Sequence, residues 1–212
     1  GSNATVVGSG AADGTADAAN LVAIGANAAR TVTGANNTFV GYASGRYATS
    51  SENCVAIGLE ALRGASSGTF PTGNWNIAVG NYALTALTSG ASNVSIGHNS
   101  GKALLSGGGN VLIGGNAGDT LTSSNNIAIG LDALTAEDAS AGNVAIGFEA
   151  LKVQNTDNSN NVAIGYKAAS ALNGGTDSVY VGYQAGGVGA ITGDDNVAIG
   201  KGAALNATDM SR

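Results

Sequence analysis

"NNVAIGYKA" (residues 160–168) is the stretch on which the reading of this chain turns, because close variants of it return along almost its whole length. "NCVAIGLEA" stands at 53–61 and "NNIAIGLDA" at 125–133. Aligned on the glycine that closes each apolar triplet, the units fall at Gly8, Gly25, Gly41, Gly58, Gly80, Gly97, Gly114, Gly130, Gly147, Gly165, Gly182 and Gly200. Their spacing is 16 to 18 residues, with one exception of 22. A fixed period of this kind marks a solenoid, in which each repeat contributes one turn.

Within a unit, Val or Ile precedes the glycine without exception, and another usually stands two residues earlier with Ala between. Alternating β-branched residues predict a short strand with one buried face. On that reading Ile57, Ile96, Ile113, Ile129, Ile146, Ile164 and Ile199 point inward as the structural core. Three residues after the glycine only Ala or Ser occurs, which predicts close packing inside the stack. A stretch rich in Ser, Thr, Gly, Asn and Asp follows and reads as the turn into the next coil, with a second, weaker strand or bend completing the circuit. Asn93, Asn110, Asn126, Asn143, Asn161 and Asn196 precede the strands as corner residues, since Asn tolerates left-handed backbone and stacked Asn side chains can bond as a ladder.

The expected fold is therefore all-β: a parallel β-solenoid, or β-roll, of about twelve 17-residue coils spanning 4–204. Residues 1–3 read as a cloning remnant and 205–212 as an exit segment. A coil this short offers thin apolar cover against the entropy of ordering its backbone. Sharing a core between chains is the efficient remedy, so a homotrimer about a common axis is expected.

Composition narrows the function. Glycine supplies 35 of 212 residues, charged residues only 10% and apolar residues 43%, unlike a disordered chain. The net charge of −6 and eight scattered basic residues argue against nucleic acid and anionic membranes as partners. No apolar run is long enough to insert as a membrane helix. One Cys and one His cannot build a multi-cysteine metal site or a nucleophilic triad, so neither cofactor nor metal is expected. Cys54 takes the place of a corner Asn, and His98 occupies a variable outward position.

The three quoted segments resemble the NSVAIGxxS repeat of YadA-type trimeric adhesin heads, which also resembles repeats in bacteriophage tail fibres and other virion appendages. Asn usually replaces the first Ser of that motif here, and Ala the last. The resemblance implies a left-handed parallel β-roll, three chains around an axial core, and an extracellular place on a virion or bacterial surface. The implied function is a non-enzymatic fibre segment presenting a host-binding surface, with a host glycan or protein as partner. The head of a bacterial trimeric autotransporter adhesin is the alternative. A glycan-hydrolysing spike would use Asp132 and Glu149, which occupy equivalent positions in successive coils. An ice-binding solenoid would need a flat Thr face, and "TVT" (31–33) occurs once. The 22-residue unit carries the candidate contact residues Phe70, Pro71 and Trp75 in a loop expected to bulge.

Overall fold

The structure is a computed structural model that describes residues 3–14, 18–64, 72–135, 140–154, 159–172, 174–187 and 192–205. It is an all-β parallel solenoid of about ten turns of about 17 residues, with no helix among the described residues. The chain divides into two compact units, Gly1–Gly109 and Asn110–Arg212. Unit one holds β1 (Thr5–Val7), β2 (Val22–Ile24), β3 (Thr38–Val40), β4 (Val55–Ile57), β5 (Ile77–Val79) and β6 (Val94–Ile96). Unit two holds β7 (Val111–Ile113), β8 (Ile127–Ile129), β9 (Val144–Ile146), β10 (Val153–Gln154), β11 (Val162–Ile164), β12 (Ala171–Leu172), β13 (Val179–Val181) and β14 (Val197–Ile199).

Within each unit the three-residue strands pair in parallel and in register with the equivalent strand one coil away, as in Val55↔Ile77, Ala56↔Ala78 and Ile57↔Val79. The short β10 and β12 pair separately, on another side of the coil. They are the weaker second strand that the repeat left room for.

Side-chain parity corrects the expected core. From β2 onward the middle residue of each three-residue strand faces inward: Ala23, Phe39, Ala56, Ala78, Ala128, Ala145, Ala163 and Tyr180 are fully buried, whereas all of β1 is exposed. The flanking Val and Ile point out. Ile57 is 41% exposed, Ile96 39%, Ile164 38% and Ile199 68%, while Ile113, Ile129 and Ile146 are half-buried. Successive residues of a strand face opposite sides, so a shift of one position moves the whole set. The physical reason is volume. The coil interior already holds the small residue three after each glycine, such as Ala61, Ala83 and Ala133, and leucines beyond it, such as Leu62, Leu84 and Leu87. Two further β-branched side chains per turn would not fit, whereas one Ala does.

The corner asparagines form a buried ladder. Asn126 N–H donates to Asn110 Oδ1 at 2.9 Å, Asn143 N–H to Asn126 Oδ1 at 2.8 Å and Asn161 N–H to Asn143 Oδ1 at 2.9 Å. In unit one Asn93 N–H reaches Asn76 Oδ1 at 3.0 Å. The amide nitrogens donate to carbonyls of the next coil, Asn93 to Gly107 at 3.0 Å, Asn110 to Ser123 at 3.0 Å and Asn161 to Gly175 at 2.8 Å, while Asn196 donates to Gly193 of its own turn at 2.6 Å. Each Asn thereby satisfies backbone groups that burial would otherwise orphan. Left-handed backbone lies one residue earlier than expected, at Asn36 (φ 61°), Asn53 (φ 57°), Asn125 (φ 62°) and Asn160 (φ 60°). These residues make a second, exposed row, in which Asn20 Nδ2 donates to Asn36 Oδ1 at 2.9 Å and Asn36 Nδ2 to Asn53 Oδ1 at 3.2 Å.

After each strand the chain turns sharply. The residue three after the glycine donates back to it, as Ala28 N–H does to Gly25 O at 3.2 Å and Ala150 N–H to Gly147 O at 3.3 Å. The second residue of this turn has positive φ, for example Glu60 (52°), Asp132 (54°), Glu149 (52°) and Lys167 (54°). Its N–H bonds to the coil before, as Glu149 does to Leu131 O at 3.0 Å. The turn thus continues the ladder and holds the side chains of its first two residues in columns.

Candidate functional site

Three outward features follow from this framework. The first is the rank of Val and Ile on the sheet's outer face, two per coil except where Thr5 and Thr38 take one place, because each three-residue strand leaves both ends outside. The same parity that places Ala inside leaves this face apolar.

The second is Trp75. Its coil places it in the exposed row otherwise filled by Asn, Ser, Asp or Gly, at φ 56° and 61% exposed. A bulky side chain in left-handed backbone is unfavourable, and its exposure returns little packing in exchange. The indole N–H only donates, so Trp75 also cannot accept the amide proton of Asn53 and continue the Asn20–Asn36–Asn53 row. Its backbone N–H keeps the ladder by donating to Glu52 O at 3.0 Å. Phe70 and Pro71 lie outside the described residues.

The third feature belongs to unit two, in the two residues after each strand glycine. Phe148 and Tyr166 stack with ring centroids 5.1 Å apart and planes 18° from parallel; Tyr166 and Tyr183 stack at 5.2 Å and 6°. Beside them Lys167 Nζ meets Glu149 Oε2 at 3.1 Å, and Lys152 Nζ meets Glu149 Oε1 at 2.6 Å and Asp132 Oδ2 at 4.0 Å. Hydrogen bonds from Lys152 and then Lys167 hold the Glu149 carboxyl below the ordinary carboxylate value. That direction suits a fixed negative charge; a general acid needs the opposite one. Because the folded value lies below the unfolded one, this pairing contributes near neutral pH and is lost as pH falls through the folded value. So Asp132 and Glu149 do come together, bridged by lysine, as a charge ladder of half-buried side chains on the turn.

The remaining titratable candidates serve the scaffold. Cys54 is fully buried, and its thiol sits 3.3 Å from Glu52 O and 3.6 Å from Gly73 O while Asn76 N–H approaches its Sγ at 3.5 Å. Burial raises its pKa, opposite to what a reactive thiolate requires. His98 packs edge-on against Tyr82, with centroids 6.0 Å apart. Among the described residues no group of three or more His, Cys, Asp or Glu could hold a metal ion, and no helix is long and apolar enough to cross a membrane.

These features define a class by architecture, a parallel β-solenoid with patterned outer faces. Comparison of the chain with protein-family models, curated proteins and solved structures gave no match.

Proposed function

We propose that this chain is a rigid, non-enzymatic segment of an extracellular attachment fibre, of the bacteriophage tail-fibre or virion-appendage kind, which associates as a homotrimer through its Val/Ile face and presents its turns to a host surface. The outward rank of Val and Ile carries this reading. Soluble monomers rarely leave a contiguous apolar face of this kind uncovered, and a repeated face is satisfied by copies of itself arranged about a closed symmetry axis. The resemblance to YadA-type heads supports three as the number of chains. It equally supports a bacterial adhesin head as the second reading.

Trp75 supports attachment as the purpose of the outer turns, because residues that break a local rule without a packing return tend to be functional. Trp75→Asn separates recognition from structure, since Asn restores the residue type that the row prefers. The variant should melt at or slightly above the parent temperature. Its binding to a panel of labelled bacterial cells should fall by about tenfold or more, as for an aromatic anchor. Unchanged cell binding would remove Trp75 from the recognition surface.

A further inference from the structure

Phe148, Tyr166 and Tyr183 stand at the same coil position in three successive turns of unit two, and the fold does not require aromatics there. Gly115, Ser9, Ala26 and Asn81 fill that position in other coils, so the turn closes equally well around a hydrogen, a methyl, a hydroxymethyl or an amide. Tyr166 is 43% and Tyr183 47% exposed. Nearly parallel rings 5.2 Å apart between centroids exceed van der Waals contact of about 3.5–4.0 Å. The column therefore follows the coil spacing, about 4.8 Å, and turns an apolar, part-exposed surface of stacked rings to solvent.

A polar column runs beside the rings. Glu149, Lys167 and Gln184 occupy the next position along the turn in the same three coils, and their backbone is pinned to the coil before by N–H bonds of 3.0, 2.8 and 2.9 Å. Lys167 Nζ lies 5.8 Å from the Phe148 ring centroid and 5.6 Å from that of Tyr166, while keeping its ion pair with Glu149. Acceptor, donor and amide thus line one edge of an apolar strip at a period set by the coil. An extended sugar chain has the complementary pattern. Its pyranose rings present apolar C–H faces, hydroxyls project from their edges, and equatorial linkages keep the chain extended, while the coils offer one platform about every 4.8 Å.

We propose that the column of Phe148, Tyr166 and Tyr183, with Glu149, Lys167 and Gln184 alongside, is a binding strip for a linear polysaccharide of equatorially linked hexopyranoses. The proposal rests on the reading of the chain as an attachment segment and names the ligand class for one of its faces. Rigid aromatic platforms with adjacent polar groups bind at low entropic cost, and the solenoid supplies that rigidity.

The test is calorimetric titration of the intact protein with cellohexaose and chitohexaose, with axially linked maltohexaose as comparison. At least one of the extended hexamers should bind and maltohexaose should not. Tyr166→Ala/Tyr183→Ala should weaken binding by about tenfold or more with a retained far-UV spectrum, because this position tolerates Ala26. Tyr42→Ala, at the same position between Ala26 and Leu59 in unit one, should leave binding unchanged. Absence of binding to both extended hexamers, equal binding of maltohexaose, or full binding by the double variant would each overturn the strip. Light scattering on the same samples keeps the two ideas apart. A trimer that binds none of these sugars loses only the strip, and a monomer that binds loses only the assembly.

Discussion

Gly58→Ala is expected to remove most of the stability of its unit, although it adds a single methyl group. Gly58 holds φ at +135°, a region that L side chains rarely adopt, and a Cβ there would lie 2.6 Å from both the carbonyl carbon and oxygen of Gly80 in the next coil. Neither coil can retreat. Gly58 N–H is bonded to Val40 O and Gly80 N–H to Ile57 O, both at 2.8 Å, so relief of the clash breaks the ladder on one side. The same column recurs at Gly8, Gly25 and Gly182, where an added Cβ would sit 2.5 to 2.6 Å from the next glycine's backbone. Backbone strain together with a clash against fixed backbone places the cost at about 4 kcal/mol or more. In a stacked array that loss passes to neighbouring coils. Thermal unfolding followed by circular dichroism should show a fall of roughly 10 °C or more, or no folded protein. Gly115→Ala is the control. Its backbone is not left-handed, the nearest obstacle is the movable Leu131 Cδ1 at 3.1 Å, and the expected cost is below about 1 kcal/mol.

The second large effect concerns the interior. In four coils a middle Ala goes with a Leu four after the strand glycine, Ala56 with Leu62, Ala78 with Leu84, Ala128 with Leu134 and Ala145 with Leu151, and in three it goes with Ala29, Ala169 or Ala204. Where it is Leu, Phe or Tyr, that position is Gly: Phe39 with Gly45, Leu112 with Gly118 and Tyr180 with Gly186. The geometry explains the exchange. A Cβ on Gly45 would meet Phe39 ring atoms at 2.6 Å, and one on Gly186 would meet Tyr180 Cδ1 at 2.6 Å. Two positions share one space within a coil. Gly45→Leu alone should overpack that space and cost about 3 kcal/mol or more, and Phe39→Ala alone should leave a cavity worth about 3–5 kcal/mol. Phe39→Ala/Gly45→Leu should recover most of both losses, since Leu62 at φ 48° and Leu84 at φ 49° already accept the backbone required. A double-mutant cycle from denaturant unfolding should give a coupling energy of at least about 3 kcal/mol. Additive losses would show that the two positions do not share a space.

The coil itself was legible in the sequence because its constraints fall on residue types that few others can replace. Glycine columns and buried Asn ladders recur at a fixed period for reasons of backbone geometry. Strand parity was not legible in the same way, since "VAI" is apolar on both faces and β-branched residues ordinarily mark the buried one. The missing signal was volume, in the pairing of a middle Ala with a later Leu and of Phe39, Leu112 or Tyr180 with a later Gly. The left-handed Asn is ambiguous in the sequence because "NN" presents two candidates and only hydrogen bonding tells the ladder residue from the turn residue. Trp75 stood out by its rarity. The aromatic column did not, because Tyr42, Leu59 and Lys201 at the same position suggested tolerance. The clue was the run of Phe148, Tyr166 and Tyr183 in consecutive coils.

The central claim, that the Val/Ile face is an interface between copies of this chain, is tested most directly by the absolute mass in solution, from light scattering after size exclusion. The expected result is a particle of three times the 20.3 kDa chain mass that persists on dilution. A stably folded 20.3 kDa monomer would contradict it, because the outward Val and Ile would then face water in the native state.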